Sequence, residues 1–79
     1  MTEGSPLKKR SMVVSGHATS LALEPEFWRA LELWARDEGV AVAGLVARID
    51  AARAAGSLAS AIRVAILRRA MGDAPAEER

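Results

Sequence analysis

Residues 18–39 read A-T-S-L-A-L-E-P-E-F-W-R-A-L-E-L-W-A-R-D-E-G, an alternating stretch that turns at a proline into a helical pattern. Alternation puts Thr19, Leu21 and Leu23 on one face and Ala18, Ser20 and Ala22 on the other, and the first is the face to bury. Pro25 suits the first turn of a helix, where its missing N–H is not needed, and Glu24 and Glu26 stand at the positive end of the helix dipole. Phe27, Leu31, Trp34 and Ala35 then recur at helical spacing, with Trp28 widening the stripe, and Gly39 is a left-handed stop. A single strand is not stable alone in water. The chain offers few good partners for this one, so the expected partner is a second copy of the chain.

Working outward, residues 1–7 contain glycine, serine and proline without periodicity and lead into Lys8, Lys9 and Arg10, so 1–10 reads as a flexible basic arm. Residues 11–15 are β-prone and closed by Gly16 and His17, where the glycine permits a turn or bulge. This run is either a strand of its own or an extension of the next one, and both readings stay open. On the other side, a second helix is expected over 42–55, with Val42, Leu45, Val46, Ile49 and Ala52 as its stripe. Gly44 weakens it by up to about 1 kcal/mol. Gly56 ends that helix and Ser57 is an N-cap for a third, which carries Leu58, Ile62, Ala65 and Ile66 on one face and Val64, Leu67 and Met71 on another. Two apolar faces mean two packing surfaces. The domain is expected to span 11–72, with 73–79 as a frayed polar tail.

Seventy-nine residues make one domain at most, and a chain this small usually needs disulfides, a metal or oligomerisation. With no cysteine and one histidine there is no disulfide and no zinc pattern, so oligomerisation remains and no metal or cofactor is expected. The apolar runs are broken by arginines before the roughly 18 to 20 residues that cross a bilayer, and no apolar signal core follows the basic cluster. The expectation is a cytoplasmic protein without membrane contact. A net charge of +1 hides segregation: +3 over 8–10, −3 over 24–38, +4 over 48–69 and −2 over 73–79. The two basic zones serve phosphate contacts or solubilise a surface.

An alternating strand, a proline at a helix start, a four-turn helix, a glycine-containing link and a second striped helix resemble the ribbon-helix-helix family of DNA-binding proteins. The chain is most similar to a bacterial branch with K-R-S, G-H-x-T-S-L, E-P-x-F-W and R-I-D-A-A-R elements, which stand here at 9–11, 16–21, 24–28 and 48–53. The resemblance implies a mostly α fold with a short β-ribbon, an intertwined homodimer whose ribbon takes one strand from each copy, and here an additional third helix. It implies that the ribbon's outer side chains enter the major groove of double-stranded DNA and that the start of the second helix, at Val42 and Ala43, holds a phosphate. Leu21, Leu23, Trp28, Leu31, Trp34, Val46 and Ile49 would then form the dimer interface. On this chain the groove-facing strand residues are Ala18, Ser20 and Ala22, where the family often carries arginine, lysine, asparagine or glutamine. Alanines form no bidentate bond to a base. The second helix likewise starts at Ala41, Val42 and Ala43 without the family's capping serine.

DNA binding would therefore lean on Lys8, Lys9 and Arg10, with His17 and Ser20 near the groove, and would be salt-sensitive and weakly selective. The competing readings are plainer: a solvated basic arm, a histidine serving the turn, tryptophans in a core, and Arg63, Arg68 and Arg69 on a solvated or partner-facing surface. Members of the branch are sometimes labelled aryl-sulfate sulfotransferase-like. The chain has no phosphate loop, nucleophile elbow or acid cluster around its histidine, so no enzyme is expected. Two functions follow: a homodimeric transcriptional regulator, or an interaction module or antitoxin-like protein on the same scaffold, a dimer or higher even oligomer with weak or lost DNA binding, in which the third helix drives higher assembly or binds a protein partner.

Overall fold

The computed structural model describes residues 6–72. They form β1 (Lys8–Val14), β2 (His17–Leu23), α1 (Pro25–Glu38), α2 (Val42–Ala52) and α3 (Leu58–Ala70). The expected tail at 73–79 and the first five residues of the expected arm lie outside the described residues.

The strand partner is in the chain itself. β1 pairs antiparallel with β2, from Lys8 opposite Leu23 to Val14 opposite His17, in a two-stranded sheet. The connection is Ser15 and Gly16, both at positive φ (53° and 83°). That is the signature of a two-residue turn whose twist matches the strands it joins. Residues 11–14 thus belong to a separate strand, with Ser15 in the turn, and Lys8, Lys9 and Arg10 belong to that strand rather than to an arm.

Directly opposed residues share a face, so the register sorts the ribbon. Leu21, Leu23, Val14 and Met12 point inward with Arg10, and Lys9, Ser11, Val13, Ala18, Ser20 and Ala22 point outward. Leu21, Leu23 and Val14 are buried. The indole N–H of Trp28 donates to the carbonyl of Lys8 at 2.8 Å, which ties the start of β1 to α1.

The three helices follow the sequence pattern closely. α1 begins at Pro25 after Glu24 and ends at Gly39 (φ 69°), whose N–H reaches the Arg36 carbonyl while that of Val40 reaches Ala35. This pair of bonds closes a Schellman motif, and a glycine carries the left-handed residue at no steric cost. α2 stops at Ala52, three residues short of the expected 55. Arg53 turns out into an extended conformation and donates to Asp50 (2.6 Å) and to the Gly56 carbonyl, so its side chain holds the link instead of the helix. Ser57 caps α3 by accepting from the Ser60 N–H at 3.0 Å.

α3 lies against α1, α2 and β2, and α2 against β1. Ile62 is fully buried, and Leu58, Ala65 and Ile66 pack against the core around it. The second face stays outside: Val64, Leu67 and Met71 are 46, 56 and 69% exposed. Two ion pairs fasten the helix. Arg63 holds Glu24 at 2.9 Å with its guanidinium over the Phe27 ring, and Arg69 holds Asp37 at 3.0 Å with its own over Trp34. Among the described residues no helix is long and apolar enough to cross a membrane.

Candidate nucleic-acid interface

The outward side of the ribbon is a strip of mostly small and polar groups, with the apolar Val13 exposed among them. Lys9 stands opposite Ala22, Ser11 opposite Ser20 and Val13 opposite Ala18, and all but half-buried Ala22 are exposed. A two-stranded antiparallel ribbon is of a size that the DNA major groove admits. The hydrogen-bonding inventory of the strip is short: one ammonium and two hydroxyls, none of which makes a bidentate base contact.

The basic cluster is divided by the pleat. Lys9 is on the outer strip. Arg10 points the other way, pairs with Glu32 at 2.8 Å and stacks over the Trp28 ring at 4.4 Å. Its guanidinium is thus engaged by an acid and an aromatic of its own chain. Lys8 falls in register with Leu23 on the inward side at the strand end, its side chain exposed. His17 opens β2, exposed, in register with buried Val14, and its carbonyl accepts from the Thr19 hydroxyl at 3.1 Å. Ser20 sits at the centre of the outer strip as expected from alternation. Ser11, its cross-strand neighbour, was invisible to a reading that left the pairing of its strand open.

At the start of α2, Ala41 is the N-cap and no side chain caps the helix. The first intrahelical bond runs from Leu45 to the Ala41 carbonyl, at 3.0 Å, so the N–H groups of Val42, Ala43 and Gly44 precede the helix's own ladder. Such groups favour an anion.

The side chains expected at a dimer interface are placed in the chain's own core. Leu21, Leu23, Trp28, Leu31, Val46 and Ile49 are all buried within one copy, and Trp34 is half-buried at the edge. β1 and α3 supply the covering surface that sequence reasoning had assigned to a second copy. This is a correction to the premise that one chain lacks a core.

Two acids at the helix junctions are held below the ordinary carboxylate range. For Glu24 the cause is first backbone hydrogen bonding at Glu24 itself and then the Arg63 hydrogen bond. For Glu38 it is first the Arg48 hydrogen bond (2.7 Å) and then that of the Trp34 indole (2.7 Å), and Arg48 is raised in turn, chiefly by its hydrogen bond to Glu38. These groups join α1 to α2 and α3. Among the described residues there is no group of three or more histidines, cysteines or acids placed to hold a metal ion.

Residues 7–70 match the family model described as a ribbon-helix-helix domain, a span that takes in both strands and all three helices. The chain belongs to the ribbon-helix-helix domain family. Among solved structures it is similar to an uncharacterized protein from Bordetella pertussis Tohama I, at 32% sequence identity and a TM-score of 0.71. The similarity covers 94% of this chain and 66% of that one, so the chain spans just under two thirds of its relative's length. No protein of curated function matches it.

Proposed function

We propose that this chain is a DNA-binding protein that acts as a pair of copies and grips duplex DNA chiefly by its phosphates. The observation that carries the reading is the outward strip of the ribbon, solvent-facing and almost wholly small or polar in a chain of this family. The pairing follows from the edge of β2. A two-residue turn makes Val14 and His17 a hydrogen-bonded pair, and alternation turns the backbone groups of Ala18, Ser20 and Ala22 toward the side of β2 away from β1. An open edge is a template for another strand. Two copies joined there give the order β1-β2-β2-β1 across a two-fold axis.

The width of that sheet sorts the contacts. Three strand spacings place the outer strands about 14 Å apart, whereas the major groove is about 12 Å wide. The β2 pair then lies over the groove floor and each β1 over a phosphate rim. Lys9 and Ser11 contact phosphates, and the floor is met by Ala18, Ser20 and Ala22, of which only Ser20 has a polar side chain. Binding is salt-sensitive and weakly selective for that reason. The role of a small transcriptional regulator agrees with this chemistry. The test is fluorescence anisotropy with a labelled duplex at low and moderate salt, beside light scattering of the free protein. Binding at low salt that weakens steeply with salt, and a dimeric mass at the concentrations that bind, support the reading. No binding at low salt overturns it.

A further inference from the structure

We propose a second, separate interaction surface: the groove between α3 and the C-terminal half of α2 docks an acidic amphipathic helix of a protein partner. The groove has a volume of about 800 Å³ and no ribbon residue lines it. Its floor is apolar, built from Ile49, Ala61, Val64 and Ala65 with Trp34 at one end. Its rim holds four arginines, Arg48, Arg53, Arg68 and Arg69, against the single carboxylate of Glu38.

Charge and shape together select the occupant. Three of the arginines are positioned by acids of the chain, Arg48 by Glu38, Arg53 by Asp50 and Arg69 by Asp37. Arg68 has no ion-pair partner among the described residues and is exposed. Four arginines against one carboxylate in the lining, with Arg68 unpaired among the described residues, make a face rich in carboxylates a better fit than the same face of a second copy. DNA phosphates match the arginines but leave the apolar floor uncovered. Carboxylates flanking an apolar stripe satisfy both parts at once, and complementary charge steers the encounter. Along α3 the groove runs from Ser60 to Arg69, a rise of about 14 Å or two and a half turns. Beyond it Leu67 and Met71 continue the exposed apolar side of the helix.

The experiment is a titration of the isotope-labelled full chain, followed by amide chemical shifts. The probe is a synthetic amphipathic helix of about fourteen residues with a leucine stripe flanked by glutamates; the same peptide with lysines replacing glutamates is the control. The glutamate peptide is expected to move the amides of Ser60, Val64 and Arg68. Its affinity is expected to fall at least about tenfold in Arg68→Glu and in Val64→Asp, and to be unchanged in Lys9→Ala. Both substituted groove residues are exposed, and unchanged unfolding midpoints establish that the variants fold. Equal binding of the lysine peptide, absence of shifts at those amides, or movement of the same amides by duplex DNA alone would each overturn the proposal. None of these results alters the test of the ribbon, which rests on different residues.

Discussion

The opposite directions of Lys9 and Arg10 make neighbouring substitutions diverge. In the proposed dimer, Lys9→Ala removes one phosphate contact per copy, two in all. Each contact contributes about 0.9 to the slope of log affinity against log salt, so the slope of the variant is shallower by about 1.8. Between about 50 and 200 mM salt, a span of about 0.6 log units, the wild type therefore loses about tenfold more affinity than the variant. Arg10→Ala should leave the slope alone, because the guanidinium is engaged by Glu32 at 2.8 Å and by the Trp28 ring at 4.4 Å. Its effect falls on folding instead. With both partners of the pair near half exposure (45 and 46%), the loss is about 1 kcal/mol from the pair and the stack together. Anisotropy titrations across a salt series, with urea unfolding of the same proteins, measure both quantities. A slope for Arg10→Ala as shallow as that of Lys9→Ala, or a slope unchanged in Lys9→Ala, refutes the assignment of faces.

Three further substitutions probe other parts of the molecule. Ser20→Pro removes an N–H that faces away from β1, so the hairpin is expected to stay folded by circular dichroism while light scattering shows loss of the dimer; a dimer that persists rules out pairing at that edge. Ile62→Ala empties a fully buried site on α3 and should cost about 2–5 kcal/mol, lowering the thermal midpoint by at least about 8 °C. A smaller loss would mean that α3 is not integral to the core. Because Glu38 is held below its ordinary pKa of 4.5, the folded state takes up its proton less readily than the unfolded state, so the stabilisation is complete above the ordinary value and is lost as pH falls through the folded one. Glu38→Gln is accordingly expected to flatten the acid limb of a midpoint-against-pH curve below about pH 4.5, and an acid limb as steep as that of the wild type would contradict this.

The helices were legible because their signals are local. Pro25, Gly39 and Ser57 each mark a boundary by backbone chemistry that needs no knowledge of the rest of the chain. β1 was not legible as a partner because its inward face carries Arg10 as well as Met12 and Val14, and charge at the head of the run disguised the alternation. An arginine lies inward only when its stem has an aromatic to cover and its head an acid to meet, and both Trp28 and Glu32 come from α1. The turn was misplaced by one residue for a related reason: Gly16 announced it, but Ser15 at φ 53° shares it. The arginine-rimmed groove was hidden more completely. It gathers residues from Trp34 to Arg69 that no spacing rule relates.

A core closed within one copy changes what a second copy is for. Had Leu21, Leu23 and Trp28 been left uncovered, dimerisation and folding would be a single event, with stability inseparable from concentration. Here β1 and α3 already cover them, so in the proposed dimer the edge of β2 would add backbone hydrogen bonds between copies, each worth only about 1 kcal/mol net. The proposed dimer is then reversible and folds before it forms. DNA that binds only the paired state pulls the equilibrium toward it, which makes occupancy rise more steeply than linearly with protein concentration. The same independence frees α3, since a helix whose inward face is spent on its own core and whose outward face stays apolar and basic can serve a partner without disturbing the ribbon.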